Sequence, residues 1–314
     1  ALFSTLSVLL AAYAVWDKSF YLFCLACFFI GNGMAFTHQY RFAAAESVEK
    51  SFIPKALSII MLASIVSAIL GPNIANFNKN LISGHLFVGS YLSLAILTFI
   101  PILFLSFYNP KKELVKIKNY QGRSYLELIS QPRFLQAVAS AAFAYAVMSF
   151  LMTATPINMH IIEQYSLNKT GIVIQLHIIS MFLPSLITGN LLRKYGHSKI
   201  MYAGVIFFIL TISLSFLEPS FFNYIFSLVF LGIGWNFLYL SGTGLLVLSY
   251  REEEKFKAQG FNDILVFSTQ AIASLSAGYM LSMTSWKTMN LIAIPFLILI
   301  ILSSIRADLS KDNN

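Results

Sequence analysis

Apolar residues run along this chain in long stretches separated by short polar ones. Crossing a hydrocarbon core of about 30 Å takes about 20 apolar residues in a helix. On that measure the pattern predicts ten spans: 1–16, 20–44, 56–77, 85–107, 135–157, 171–193, 200–217, 221–249, 260–284 and 288–305. Three connections are very short: Asp17-Lys18-Ser19, Glu218-Pro219-Ser220 and Ser285-Trp286-Lys287. Turns of that length make neighbouring helices antiparallel. The longest polar stretch, 108–133, has Pro near both ends and six basic residues. It divides the spans into a partial bundle at 1–107 and a six-helix bundle at 134–305, with a tail at 306–314.

Composition excludes the alternatives. Of 314 residues, 57% are hydrophobic and only 11% charged, against about 25% charged in soluble domains. A soluble enzyme or a disordered chain does not have this balance, so the fold class is all-α and polytopic in a membrane. The net charge of +8 could suggest nucleic acid until the basic residues are placed. Seventeen of the 21 Lys and Arg fall on one side of the predicted topology, and only Lys18, Lys79, Lys169 and Lys287 on the other. That asymmetry is the positive-inside signature and puts the C-terminus in the cytoplasm, so no nucleic-acid partner is expected. Cys24 and Cys27 form a C-x-x-C inside an apolar run, where packing is the expected role. No metal or cofactor site and no catalytic constellation is legible.

The two halves repeat. Gly31-Asn32-Gly33, Arg41 and Lys55-Ala56 are echoed by Gly232-Ile233-Gly234, Arg251 and Lys257-Ala258, at offsets near 200 residues for the glycine and Lys-Ala pairs. The loop Gly189-Asn-Leu-Leu-Arg193-Lys194-Tyr-Gly196-His197-Ser198-Lys199 is similar to the signature cytoplasmic loop of the major facilitator superfamily, G-x-x-x-D-[RK]-x-G-[RK]-[RK], with Arg193 at the acidic position. The third span, Ser67-Ala-Ile-Leu-Gly71-Pro72-Asn73-Ile74-Ala75-Asn76, resembles a degraded G-x-x-x-G-P-x-x-G-G motif of that superfamily's antiporters. The helix ends at 41–58 and 250–267 resemble a bacterial branch associated with riboflavin and related uptake.

The resemblance implies a two-bundle transporter whose spans correspond to the family's third to twelfth helices. Two helices and a first copy of the loop are then expected ahead of residue 1, and transport is expected of the complete chain. It also implies a central cavity lined here by the spans at 20–44, 135–157 and 221–249. Candidate solute contacts are Asn32, about 18 Å into its span, and Trp235, Asn236, Tyr239 and Tyr145. Asn236 and Tyr239, three residues apart, are predicted to share a helix face. An aromatic face beside an amide suits a planar, largely neutral heterocycle.

Candidate gating or coupling residues are Arg41, either snorkelling or paired with Glu46 or Glu49, together with Glu46, Arg193, Lys194, Asp263 and His177. Arg41, about 32 Å into its span, belongs at the cytoplasmic interface. Asp263 is read as opening the ninth span, where a carboxylate caps the helix dipole or contacts an opposing gate. No Asp or Glu is predicted deep in a span, so a coupling proton has no obvious carboxylate; His177 could carry one or be structural. Ser67 and Gly71 should allow close helix approach and Pro72 should kink its helix. The expected protein is a monomeric secondary transporter of a small organic solute in a bacterial inner membrane, working by alternating access. Drug–proton antiport and a non-transporting sensor or scaffold are the rivals.

Overall fold

The computed structural model describes residues 2–107 and 122–312. Most of the predicted linker, 108–121, and the side chain of Pro72 lie outside the described residues. Helices account for nearly all of the rest: α1 (Leu2–Trp16), α2 (Phe20–His38), α3 (Tyr40–Glu46), α4 (Ile53–Phe77), α5 (Val88–Ser106), α6 (Tyr125–Ser130), α7 (Pro132–Pro156), α8 (Leu167–Phe182), α9 (Ser185–Tyr195), α10 (His197–Leu214), α11 (Phe221–Ser249), α12 (Lys255–Met283), α13 (Trp286–Ile292) and α14 (Ile294–Asp312). No strand occurs among the described residues. Eight helical stretches are long and apolar enough to cross a membrane, and two shorter apolar helices, Leu2–Trp16 and Val88–Phe104, complete the ten predicted spans.

Serines open the helices that follow tight turns. Ser19, Ser166, Ser220 and Ser285 each accept a hydrogen bond from the amide three residues on, at 3.4, 3.3, 3.2 and 3.3 Å. Each thereby satisfies one of the amides a helix start leaves without an internal partner. Between α9 and α10 the reversal takes place at Gly196, whose φ of +83° would strain any residue with a Cβ.

Three predicted spans are broken. The second splits at Gln39, the sixth at Leu183-Pro184, and the last at Ala293, two residues before Pro295. Proline has no amide to donate, so an α-helical ladder is interrupted at its position. After Pro156, Ile157–Ile162 form a π-turn, and Thr155 donates its hydroxyl to the Leu151 carbonyl at 2.7 Å. At the other end, α14 continues through the predicted tail to Asp312.

The described chain forms two compact units: Ala1–Ala43 with Val66–Lys116, and Ala44–Ile65 with Ile117–Asn314. In the first, α1 packs on α2 and α5. A Cβ at Gly33 would collide with the Ser4 hydroxyl on α1, so this glycine is where the two helices touch. The expected close approach at Gly71 is not made. A Cβ there would meet nothing within 4 Å, Ser67 is exposed, and Gly71 borders an apolar cavity of about 650 Å³ with Val15, Phe23 and Tyr91. Cys24 and Cys27 are free and exposed, so the packing role expected of them is not realised either.

The second unit is organised around α11, which packs on α7, α8 and α10. Small residues set each crossing. Gly232 abuts Ser180 and the His177 carbonyl on α8, Gly234 abuts Phe208 and the Gly204 carbonyl on α10, and Gly242 abuts the Ala137 carbonyl and Ala141 on α7. Gly234 matches Gly33 across the repeat, and each marks the crossing with the preceding span.

Candidate functional site

Halfway along α11 the side chains change character. Trp235 lies about 21 Å from the first residue of a helix about 43 Å long, and Tyr145 stands at a comparable depth on α7. Trp235 and Tyr239, one turn apart, stack with ring centroids 4.9 Å apart and planes at 15°. Tyr145 meets both edge-on, at 5.2 and 5.0 Å. Phe182 of α8 stands edge-on to Trp235 at 5.8 Å, and Phe267 of α12 approaches Tyr145 at 6.1 Å. Four helices thus contribute to one aromatic cluster, made wholly of Phe, Tyr and Trp rings. Trp235, Tyr239 and Tyr145 are 1%, 2% and 9% exposed.

Of the five residues predicted to touch solute, the structure brings these three together. Asn236 is engaged by other groups. Its amide donates to the Met181 carbonyl and the Ser185 hydroxyl, both at 2.7 Å, and its oxygen accepts from Thr188 at 2.8 Å. These bonds tie α11 to the break between α8 and α9, where Pro184 interrupts the ladder, and none of them reaches the rings. The pairing along α11 is i, i+4 through Trp235 rather than i, i+3 through Asn236. Replacing Asn236 with Leu is expected to lower stability by about 2 kcal/mol, three interhelical bonds at about 0.6 kcal/mol each, read as a fall in melting temperature.

Asn32 belongs to the other compact unit. It is exposed, and its amide donates to Phe28 of its own helix at 3.0 Å, so this midspan amide is satisfied locally.

The gating candidates divide as follows. Glu46 is held within the second unit by Gln259, Tyr250 and Lys255 at 2.5, 3.2 and 3.4 Å. Burial and the nearby Glu46 carboxylate push the Tyr250 phenol above its ordinary range. Arg193 lies 5.5 Å from the Phe52 ring, a cation–π contact in place of any carboxylate latch, and Lys194 lies over Tyr195 at 5.0 Å. Beside them a Cβ at Gly189 would meet Ser58, Pro54 and Lys55 of α4, which explains a glycine at that motif position. Arg41 is buried, with its guanidinium 4.5 Å from the Phe42 ring.

His177 is fully buried, with Nδ1 2.7 Å from the Leu228 carbonyl. Asp263 departs from expectation. Helix α12 begins at Lys255 rather than near residue 260, because Gly260 lies inside it. Asp263 is therefore in the third turn, 9% exposed and bonded by Asn262 at 3.1 Å. It cannot cap the first turn. It is a buried carboxylate about 12 Å into the helix.

Sequence reasoning missed Phe182 and Phe267, for which spacing offered no signal. It also missed a clamp on the loop after α11. Arg123 donates through Nε and a terminal nitrogen to Glu254 at 2.7 and 2.5 Å, and its backbone amide adds a third bond at 2.9 Å. The Glu254 side chain has no exposed surface, and its carboxylate holds Arg123 above its ordinary pKa.

Eight helices long and apolar enough to cross a membrane, packed at glycine crossings, make this a polytopic helical membrane protein. The sequence profile of the Major Facilitator Superfamily matches residues 1–217 and again 138–311, and the chain belongs to that family. It is 33% identical over 305 residues to the riboflavin transporter RfnT of Brucella anthropi, covering 96% of this chain and 76% of that protein. It is 27% identical over 280 residues to the uncharacterized MFS-type transporter YddS of Bacillus subtilis, covering 83% of this chain and 64% of the relative. Among solved structures, it is similar to the transporter FucP in its outward conformation, with a TM-score of 0.73 at 14% identity over 97% of this chain and 81% of that one. A bacterial homologue of ferroportin in an outward-facing state gives 0.67 at 14%, over 98% and 82%. At such identity the likeness is one of fold.

Proposed function

We propose that this protein transports a small, planar, neutral organic solute of the riboflavin kind across a bacterial inner membrane by alternating access, with its C-terminus in the cytoplasm. The observation that carries the reading is the uncharged cluster of Tyr145, Trp235 and Tyr239 at mid-length of α7 and α11. Aromatic rings gain most from stacking on flat solutes, and transporters of this kind hold solute near the bilayer midplane. The 33% identity to a riboflavin transporter supports the same solute class. Asn236 orients α11 behind the rings, and Asn32 is a separate candidate contact. Glu46, Arg41, Arg193 and Lys194 are assigned to gating. Asp263 is the coupling candidate, since buried carboxylates in membrane helices commonly serve proton relays, with His177 as its alternate.

The test is uptake of labelled riboflavin by proteoliposomes holding the full-length protein. Tyr145→Leu and Tyr239→Leu should each cut uptake about tenfold or more, with protein levels unchanged. Uptake that survives both substitutions refutes the site, and absence of any riboflavin flux or binding refutes the solute class. A fall in uptake with Asp263→Asn only under an imposed pH gradient would assign coupling to that carboxylate.

A further inference from the structure

We infer that the indole Nε1–H of Trp235 is the donor that selects the solute, and that the solute presents a hydrogen-bond acceptor, a ring carbonyl or an imine nitrogen, at the edge of a neutral flat heterocycle. This rests on the aromatic cluster being the binding site and adds the one polar contact that stacking leaves unspecified.

The argument begins from an unmet donor. Trp235 is 1% exposed, yet Nε1 has no hydrogen-bond partner among the described residues. Buried polar groups are satisfied in about nine cases of ten, and an indole N–H withdrawn from water without an acceptor is costly to the resting protein. The neighbouring Asn236 is engaged with Met181, Ser185 and Thr188 instead and gives the indole no bond. One donor is therefore held in place, at mid-helix depth, with its ring fixed by Tyr239 on a face and by Tyr145 and Phe182 edge-on.

Geometry and charge narrow the ligand. An N–H bonds in the plane of its ring, so an acceptor has to arrive edge-on to the indole. A flat heterocycle meets that requirement while leaving its faces for surrounding rings. Helix α11 has no charged residue anywhere between Phe221 and Ser249, and α12, which adds Phe267 to the cluster, carries a carboxylate, Asp263, one turn away and no cation there, so an anionic group would be desolvated unpaired. The portion of solute bound here is accordingly not anionic, and a neutral heterocycle meets that requirement. A purely hydrocarbon aromatic would stack equally well but leave the N–H unmet, which is how a single donor confers selectivity.

The experiment uses the full-length protein in lipid nanodiscs, with riboflavin and lumichrome as fluorescent probes. Incorporating 3-benzothienylalanine at position 235 keeps the size and stacking of the indole and removes only the N–H. The expected result is a Kd for both probes raised about tenfold, as for one lost hydrogen bond, with no fall in the melting temperature of the ligand-free protein. A Kd within twofold of the parent overturns the inference, and so does a marked fall in melting temperature, which would reveal an internal partner for the N–H. Tyr145→Leu separates the two levels. If it weakens binding while the position-235 replacement does not, the site stands and the donor assignment fails. If neither changes Kd, the site itself is wrong. Failure of the parent protein to bind either probe overturns the solute class.

Discussion

Gly242→Val should be among the most damaging single substitutions in this protein. An added Cβ would lie 2.7 Å from the Ala137 carbonyl and 3.0 Å from the Ala141 nitrogen, both main-chain atoms of α7, so no side chain can swing aside to make room. The helices would have to separate. Overpacking of this kind costs about 1–3 kcal/mol, and a main-chain obstacle places it at the upper end. The same crossing carries Ser140, whose hydroxyl donates to the Leu238 carbonyl at 2.8 Å, so separation would break that bond too. It would also draw Tyr145 away from Trp235 and Tyr239. Gly260→Ala is the control, because a Cβ there meets nothing within 4 Å, and alanine favours a helix by about 0.5–1 kcal/mol over glycine. Thermal unfolding in detergent should show a large fall for Gly242→Val and none for Gly260→Ala. Equal behaviour of the two would mean that α7 and α11 do not cross as described.

That contrast shows what a sequence of this kind makes legible. Spans are readable because bilayer thickness fixes their length, and turns are readable because Ser19, Ser220 and Ser285 lie in short polar breaks between long apolar runs. The glycine pairs were visible as a repeat, but which helix each touches was not. In a soluble helix an apolar stripe against a polar face would orient the residues. Here both faces are apolar, so the sequence shows Asn236 and Tyr239 one helical turn apart but not that Trp235 stacks on Tyr239 while the Asn236 amide is used between helices. Asn236 is claimed by Ser185 and Thr188 at a helix break that only Pro184 announces. The place of Asp263 is hidden from the sequence for a different reason. Gly260 looks like a helix boundary, yet the helix starts earlier, at a turn of three glutamates that the apolar pattern excluded from the span.

One of those glutamates leads to the second large effect. Arg123→Ala should destabilise the end of α11 and the start of α12 by about 2–3 kcal/mol. Breaking a buried ion pair by removing one partner costs about 3–5 kcal/mol, because the remaining charge is left uncompensated. The Glu254 side chain has no exposed surface, but that of Arg123 is 23% exposed, so water can enter and the lower part of that range applies. The backbone amides of Arg123 and Arg251 would still donate to the carboxylate, at 2.9 and 3.0 Å, which limits the loss further. Glu254→Gln alone removes the charge and leaves the guanidinium partly wet, so it should cost less. The informative measurement is therefore the double substitution. If the pair acts as a charge clamp, Arg123→Ala with Glu254→Gln should be more stable than Arg123→Ala alone, because the stranded carboxylate is gone. Strict additivity in the melting temperatures would mean that Arg123 acts through packing against the loop. Lys257 supplies an internal check: its ammonium donates to the Arg123 carbonyl at 2.6 Å and lies 4.6 Å from the Tyr125 ring. Both contacts survive truncation of the Arg123 side chain, so segment 122–125 should stay docked while the loop at 249–254 loosens, and hydrogen exchange should rise in the loop alone.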